Sequence, residues 1–427
     1  MKKTLIFLCL LILIPATAQS IQTTVTPGIS VRTTYTDNVD RVSDEQDPEY
    51  DFITTISPFI SLTAEDRAYG ATVGYSPTRV YYARTRDNQL WRHRFNLDAW
   101  SQFTRRLRFT IGGSYLQTED PAAEQDDDFT VRQGRNKYYN YSAYTGLDYQ
   151  FGPRDRIGLG FDYRRTENDD PTYQDSQYYR PSLDFSYWFT PQWGVELSGY
   201  FQRGEFDATE EVTSSDDFDR FFGAARIVHQ FNRRISGNVQ YAMNRVLYDG
   251  ETEDERIHDI SAGFDYQIGP DMDLAVQLGY SVVERPGLDN ESGLSSDINF
   301  NKTYQSGSIG LNVSSGYDYN YFGAQNLGLN YYVGGGITAD YALSRRLSVD
   351  AYARYRYIEY IDQIPQRNDD RFIAGCGLSF QLLQWLSAGA GYSYSTVESN
   401  IETNNYVENR VYISLTASPS QPFRLGN

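Results

Sequence analysis

The chain of 427 residues carries 56 Asp and Glu against 38 Lys and Arg, for a formal net charge of −18. So acidic a chain excludes nucleic acid as a partner, because a phosphate backbone needs a basic surface. Only 40% of the residues are hydrophobic, and past the N-terminus no segment reaches the ~18 apolar residues of a membrane helix.

The N-terminus reads as an export signal. Met1-Lys2-Lys3 precedes an apolar run from Leu5 to Ile14 and then Pro15-Ala16-Thr17-Ala18. The small-x-small ending predicts a signal peptide, residues 1–18, cleaved after Ala18. Leu10 follows Cys9 within the apolar run, so there is no lipoprotein box. Cleavage removes Lys2 and Lys3 and takes the net charge from −18 to −20. It leaves Cys376 as the only cysteine, so no intramolecular disulfide forms. By parity Cys376 falls on an apolar strand face, where a packed, inert thiol is expected. Gln19 to Val25 is too short for a plug, and no TonB-box-plus-plug region is seen. A ligand-gated active transporter is therefore disfavoured.

From there to the C-terminus, residues 19–427, the chain alternates with a period of two. Ile157-Gly158-Leu159-Gly160-Phe161-Asp162-Tyr163-Arg164 is one such segment. In another, Leu274, Val276, Leu278, Tyr280 and Val282 alternate with Ala275, Gln277, Gly279, Ser281 and Val283. That period puts apolar side chains on one face and polar ones on the other. About twenty such strands, of ~9–14 residues each, suit tilted membrane crossings. The predicted fold class is all-β: a single up-and-down antiparallel transmembrane β-barrel of about 18–20 strands. The least marked segments are 24–36 and 294–302.

Tight turns join the strands in pairs: Ala64-Glu65-Asp66-Arg67, Thr104-Arg105-Arg106, Phe151-Gly152-Pro153-Arg154, Thr190-Pro191-Gln192, Asn232-Arg233-Arg234, Gly269-Pro270-Asp271 and Ser344-Arg345-Arg346. Longer acidic connections separate the pairs, as at Glu119-Asp120 with Glu124 to Asp128, Asp207 to Asp217, and Asp249 to Glu255. Short periplasmic turns and long extracellular loops are the pattern of a Gram-negative outer-membrane barrel. The acid of the loops reads as solvated surface, with divalent bridging to lipopolysaccharide as the sharper alternative. The 119–136 loop is too ordinary in length to be a constriction loop folding inward. Aromatic residues gather at strand ends, at Tyr81-Tyr82, Tyr138-Tyr139, Tyr178-Tyr179, Phe221-Phe222, Tyr357 and Tyr360, as in interfacial girdles. Pro58 and Pro181 interrupt strand patterns and call for a bulge or a strained register.

Parity assigns a polar lumen. Its lining includes Arg92, Arg94, Arg108, Arg164, Arg180, Tyr352, Arg354, Arg356, Arg371 and Arg410. Asp98, Asp148, Asp162, Asp184, Glu196, Arg226, Asp265, Asp340 and Asp350 join them, with Trp100, Trp188, Tyr200, Tyr332 and Tyr412. Such a set either braces the barrel through Arg–carboxylate pairs or lines a hydrophilic passage. Aromatic faces with polar edges suit sugar rings. No catalytic grouping, metal-ligand spacing or phosphate loop is seen, and none of the three histidines matches a nucleophile and a carboxylate in depth. No enzyme activity and no cofactor are expected.

The two ends of the chain carry a resemblance. Tyr35-Thr36-Asp37-Asn38-Val39, followed by Ile56-Ser57-Pro58, opens it; Gly391-Tyr392-Ser393-Tyr394-Ser395, Ser399-Asn400 and Tyr406-Val407-Glu408-Asn409-Arg410-Val411 close it. In these the chain resembles the family called putative β-barrel porin 2. The resemblance implies a barrel of about eighteen strands in the outer membrane and, for some members, a role in passing exopolysaccharide to the cell surface. It also implies partners: outer-membrane lipid and lipopolysaccharide, the outer-membrane assembly machinery, polysaccharide and periplasmic export components. General diffusion and a sealed, surface-anchoring barrel are the alternatives. One departure is the C-terminus, where Pro419 and Pro422 interrupt the ladder. Either the assembly signal ends near Leu415, or Phe423 supplies it out of register.

Overall fold

In the computed structural model, residues 21–85, 90–123, 132–207, 217–250, 252–287, 289–320, 328–362 and 365–425 are described. The predicted signal peptide and most of the two longest acidic runs lie outside them. Twenty strands form the wall: β1 (Gln22–Thr36), β2 (Asp51–Glu65), β3 (Tyr69–Tyr82), β4 (Trp91–Thr104), β5 (Leu107–Thr118), β6 (Tyr138–Gln150), β7 (Arg156–Asn168), β8 (Ser176–Trp188), β9 (Trp193–Phe206), β10 (Phe218–Asn232), β11 (Ile235–Tyr248), β12 (Glu255–Gly269), β13 (Met272–Glu284), β14 (Glu291–Tyr304), β15 (Gly307–Asn320), β16 (Gly328–Ala342), β17 (Leu347–Tyr360), β18 (Arg367–Leu383), β19 (Leu386–Ser399) and β20 (Tyr406–Ala417). Each pairs antiparallel with the next, and β1 pairs with both β2 and β20, so the sheet closes into a barrel. The count is twenty, not the eighteen that the resemblance implies. The two least marked segments are β1 and β14.

Alternation fixes which side chains face lipid. In β13, Leu278 stands opposite Ala262 and Ser296 on the outer face and is 54% exposed, while Gln277 points inward and donates to Ser261 Oγ at 2.9 Å. Ile260, Val239 and Ile413 are likewise exposed on the outside. An apolar outer face of this extent is stable only against hydrocarbon. Cys376 lies on it, exposed to lipid, where a packed thiol had been expected.

The outer face carries an aromatic belt at each end. Tyr115 with Tyr141, Tyr163 with Tyr179, and Phe201 with Phe221 pair at ring separations of 5.1–5.3 Å near the loop end. Phe103, Tyr149, Tyr187, Trp193, Phe231 and Trp385 gather near the turns. The doublets divide, since neighbours in a strand face opposite ways. Tyr81, Tyr139, Tyr179 and Phe221 face out, but Tyr82, Tyr138, Tyr178, Phe222 and Tyr360 face the lumen. Those five do not belong to a girdle.

Neither proline makes a bulge. The β2–β3 ladder skips Ser57–Phe59 and the β8–β9 ladder skips Arg180 and Pro181, and both resume in the same register. On the other side Pro58 still stands opposite Ile29, and Pro181 opposite Phe161. At the C-terminus, β21 (Phe423–Leu425) returns to the ladder against β1. Ile29 pairs with Ala417, but Val25, four residues back, pairs with Phe423, six residues on. The stretch containing Pro419 and Pro422 absorbs the two-residue offset, and Phe423 faces out, 57% exposed. The terminal aromatic is thus paired, out of step with β20.

Candidate functional site: the lumen and its mouth

The pleat puts all ten lumen-lining arginine and tyrosine positions on the inner face. They occupy different settings. Arg94, Arg108 and Arg354 are exposed to the lumen, whereas Arg371 is buried. Arg180 pairs with Asp162 at 3.4 Å, and the Arg356 guanidinium lies 4.9 Å over the Tyr332 ring. Arg92 and Arg410 belong to a packed network at the loop end.

That network closes one side of the mouth. Glu408, 1% exposed, accepts from Thr36 Oγ1 at 2.8 Å and from Arg41 Nε at 2.9 Å, and Arg410 Nε also donates to it. Arg410 reaches on to Asp120 at 3.2 Å, across the width of β1 to β5. Arg92 pairs with Glu119 at 2.8 Å and Asp120 at 3.3 Å, and Tyr82 Oη donates to Glu119 at 2.9 Å. Farther along the same loop, Arg135 binds Asp40 at 2.7 Å, and Gln133 donates to the Thr403 carbonyl at 2.9 Å. The two described ends of the loop after β5, Glu119–Ala123 and Arg132–Lys137, therefore pack against the mouth, while its middle lies outside the described residues. Its carboxylates Glu119 and Asp120 find guanidinium partners there in Arg92 and Arg410. Burial alone would raise the Asp120 carboxyl. Arg410, Arg92, the Ala122 amide and Arg41 outweigh that and hold it well below the usual carboxylate range.

The opposite side is closed by apolar packing. Tyr319 and Leu329 sit by register on the outer faces of β15 and β16, yet they are 8% and 0% exposed. They pack with Phe206, Phe218, Val246, Ile257 and Val283 from the inner faces of β9 to β13. The β14–β15 ladder stops at Ser296 opposite Ser315, and the chain then passes Gly316 at φ +154°. Freed from β14, the adjoining ends of β15 and β16 turn Tyr319 and Leu329 into the barrel. Arg285 clamps these ends, 2.5 Å from Glu291 and 3.3 Å from Asp362, whose other oxygen accepts from the Leu329 amide at 2.6 Å.

The lumen thus differs from end to end. Inner-face residues toward the loops are buried: Thr36, Val80, Tyr138, Phe218, Val283 and Tyr360 among them. Toward the turns they are exposed: Glu65, Arg108, Gln150, Arg156, Asp273, Asp350 and Gln381. The lumen also differs from side to side. Apart from Arg285, which follows β13 at the mouth, no inward strand position from β11 to β16 among the described residues is basic, and Asp259, Asp265, Asp273, Asp297, Asp318 and Asp340 face in among Ser, Asn and Gln. The arginines line the remaining wall. Their inward parity was legible in the sequence, but the one-sidedness appears only when the strands are placed around the barrel.

Residues 329–418 match the model of the family described as Putative beta-barrel porin 2. The match takes in β16 to β20 with Tyr406–Arg410, and it leaves out Tyr35–Val39. Geometry joins the two motifs all the same: Asp37 accepts from the Asn409 amide and side chain, both at 2.7 Å, and Asn38 Nδ2 donates to the Val407 carbonyl at 3.1 Å. They are the seam where first and last strands meet. Among solved structures, the chain is similar to the siderophore receptor PirA of Pseudomonas aeruginosa, at 11% identity and TM-score 0.53 over 94% of this chain and 81% of that one. The iron transporter FrpB of Neisseria meningitidis follows the fold at 10% identity and TM-score 0.51, over 92% and 82%. No curated protein matches the sequence. The protein is an outer-membrane β-barrel.

The three histidines all face outward: His93 accepts or donates at Tyr75 Oη (2.9 Å), His258 at Tyr241 Oη (2.7 Å), and the His229 ring lies tilted against Trp193 at a centroid separation of 4.1 Å.

Proposed function

We propose that the barrel is a non-enzymatic conduit that passes polysaccharide outward, held shut at its loop end. The observation that carries this reading is the contrast along the lumen: exposed polar side chains on the inner face at the turn end and a packed, ion-paired mouth at the loop end. Short turns face the periplasm in barrels of this kind. A chamber that fills from the periplasm and is sealed at the surface suits a cargo made inside the cell. A general diffusion porin needs both ends open at rest, and a sealed anchoring barrel has no use for a hydrophilic chamber at one end only. In this reading lipopolysaccharide meets the acidic loops, the assembly machinery reads the Phe423 end, and periplasmic export components dock at the turns.

Planar-bilayer recording tests it. The unaltered protein should conduct rarely, and a variant with Glu408→Gln and Arg41→Gln should open to a large, stable conductance. Cysteines placed at Gly250 and Thr403 should label from outside intact cells, and one at Arg154 should not. An unaltered barrel that is open at rest would favour a diffusion porin. A barrel that stays silent after the mouth residues are changed would favour an anchor.

A further inference from the structure

On the arginine wall, inward aromatic rings lie flat against glycines of the neighbouring strand. A Cβ on Gly391 would come within 2.5 Å of the Tyr412 ring, one on Gly70 within 2.5 Å of Trp100, and one on Gly375 within 2.7 Å of Tyr352. Only glycine admits a ring so close to the backbone. Each ring therefore has one face on the wall and the other toward the lumen. On two of them that second face carries a guanidinium: Arg32 stands 4.3 Å from the Tyr412 centroid and Arg108 stands 5.0 Å from that of Trp100. Arg32 and Arg108 are both exposed to the lumen.

We propose that this wall is a binding track for an acidic polysaccharide, each ring-and-guanidinium pair taking one uronate-type sugar. The inference rests on the conduit reading and names its cargo. The C–H face of a pyranose stacks on an aromatic face, as a base does on the same side chains. The guanidinium already occupies that face, held by an exposed cation–π contact, which is a weak attachment. A carboxylate on the sugar offers a charge-assisted, two-pronged hydrogen bond, which is stronger, and draws the guanidinium aside while the ring takes its place. A neutral sugar must displace the same guanidinium with ordinary hydrogen bonds to hydroxyls. Across the lumen, the aspartates of β12 to β16 repel an anionic polymer and press it toward the arginines. Asp98, which accepts from Tyr144 Oη at 2.6 Å, and Asp350, beside Tyr352 on the inner face, remain to accept sugar hydroxyls.

Calorimetry on the whole barrel in detergent micelles tests the track, with trigalacturonate and maltotriose as probes. Trigalacturonate should bind at least about tenfold more tightly, the equivalent of 1.4 kcal/mol, and the margin should shrink with added salt. Arg32→Gln should weaken trigalacturonate about tenfold and should not weaken maltotriose, which no longer has a guanidinium to displace. Tyr412→Ala should weaken both, and Tyr412→Phe should weaken neither. Heat-modifiable migration on gels identifies folded variants, and Arg108→Gln serves in place of Arg32→Gln if the latter does not fold. Equal affinity for the two probes, no binding of either, or a folded Arg32→Gln barrel that binds as before would overturn the proposal. Binding is read here without transport. A barrel that binds trigalacturonate but never conducts removes the conduit and keeps the track; one that conducts but shows no preference does the reverse.

Discussion

The charge on Glu408 is the sharpest test of the closed mouth. Its carboxylate is 1% exposed and stands between Arg41 and Arg410, with Thr36 Oγ1 as a third donor. Glu408→Gln keeps the shape and the acceptor for Thr36 but leaves two neighbouring guanidinium groups short of one negative charge. Removing one partner from a buried ion pair costs about 3–5 kcal/mol. Asp120 still lies 3.2 Å from Arg410 and offsets part of this, so the lower figure, about 3 kcal/mol, is expected. The barrel wall does not depend on this contact, so the loss should be local. At about 1.4 kcal/mol per tenfold, amide hydrogen exchange should quicken about a hundredfold over Asn38–Val42 and Ala122–Ala123. Exchange in β13, far from the seam, should not change. If the mouth amides exchange at the same rate in the variant and in the unaltered protein, Glu408 does not hold the mouth and the network is not its lock.

Two further outcomes follow from the same geometry. The Asp120 carboxyl lies below its ordinary value, so its contribution is present above about pH 4 and is lost as pH falls through the folded value. Arg41, Arg92 and Arg410 face it with Glu119, Glu408 and Tyr82, and channel openings in planar bilayers should become more frequent on acidification below about pH 4; openings that become rarer would contradict the assignment. Burial raises the Asp362 carboxyl on the other side of the mouth, against the Leu329 amide and Arg285, so protonation there does not loosen the apolar clamp. On the wall, Leu278→Arg should impair assembly, since a cation at mid-bilayer costs about 2–4 kcal/mol, and Gln277→Arg should assemble; heat-modifiable migration reads both, and equal behaviour would mean that the register of β13 is wrong.

The wall was legible in the sequence because its rule is local. A strand's pleat sends alternate residues to opposite sides whatever its partners are, so the lipid face of Leu278, the inward set from Arg92 to Arg410, and the turns from Arg67 to Arg346 could be assigned one segment at a time. Even the seam left a trace, in Tyr35–Val39 and Tyr406–Arg410 at opposite ends of the chain. What the tertiary structure decided is the fate of the inward residues. Arg92 and Arg108 look alike by parity, yet one is locked to Glu119 and Asp120 while the other lies open on Trp100. Tyr319 and Leu329 break parity outright, because a strand tip released from its neighbour can turn its outer face to the core. Side-chain alternation is set by bonds within a strand. Partners across a lumen are set by barrel closure and by which loops fold in, and these join residues as far apart as Thr36 and Glu408, for which no local pattern exists.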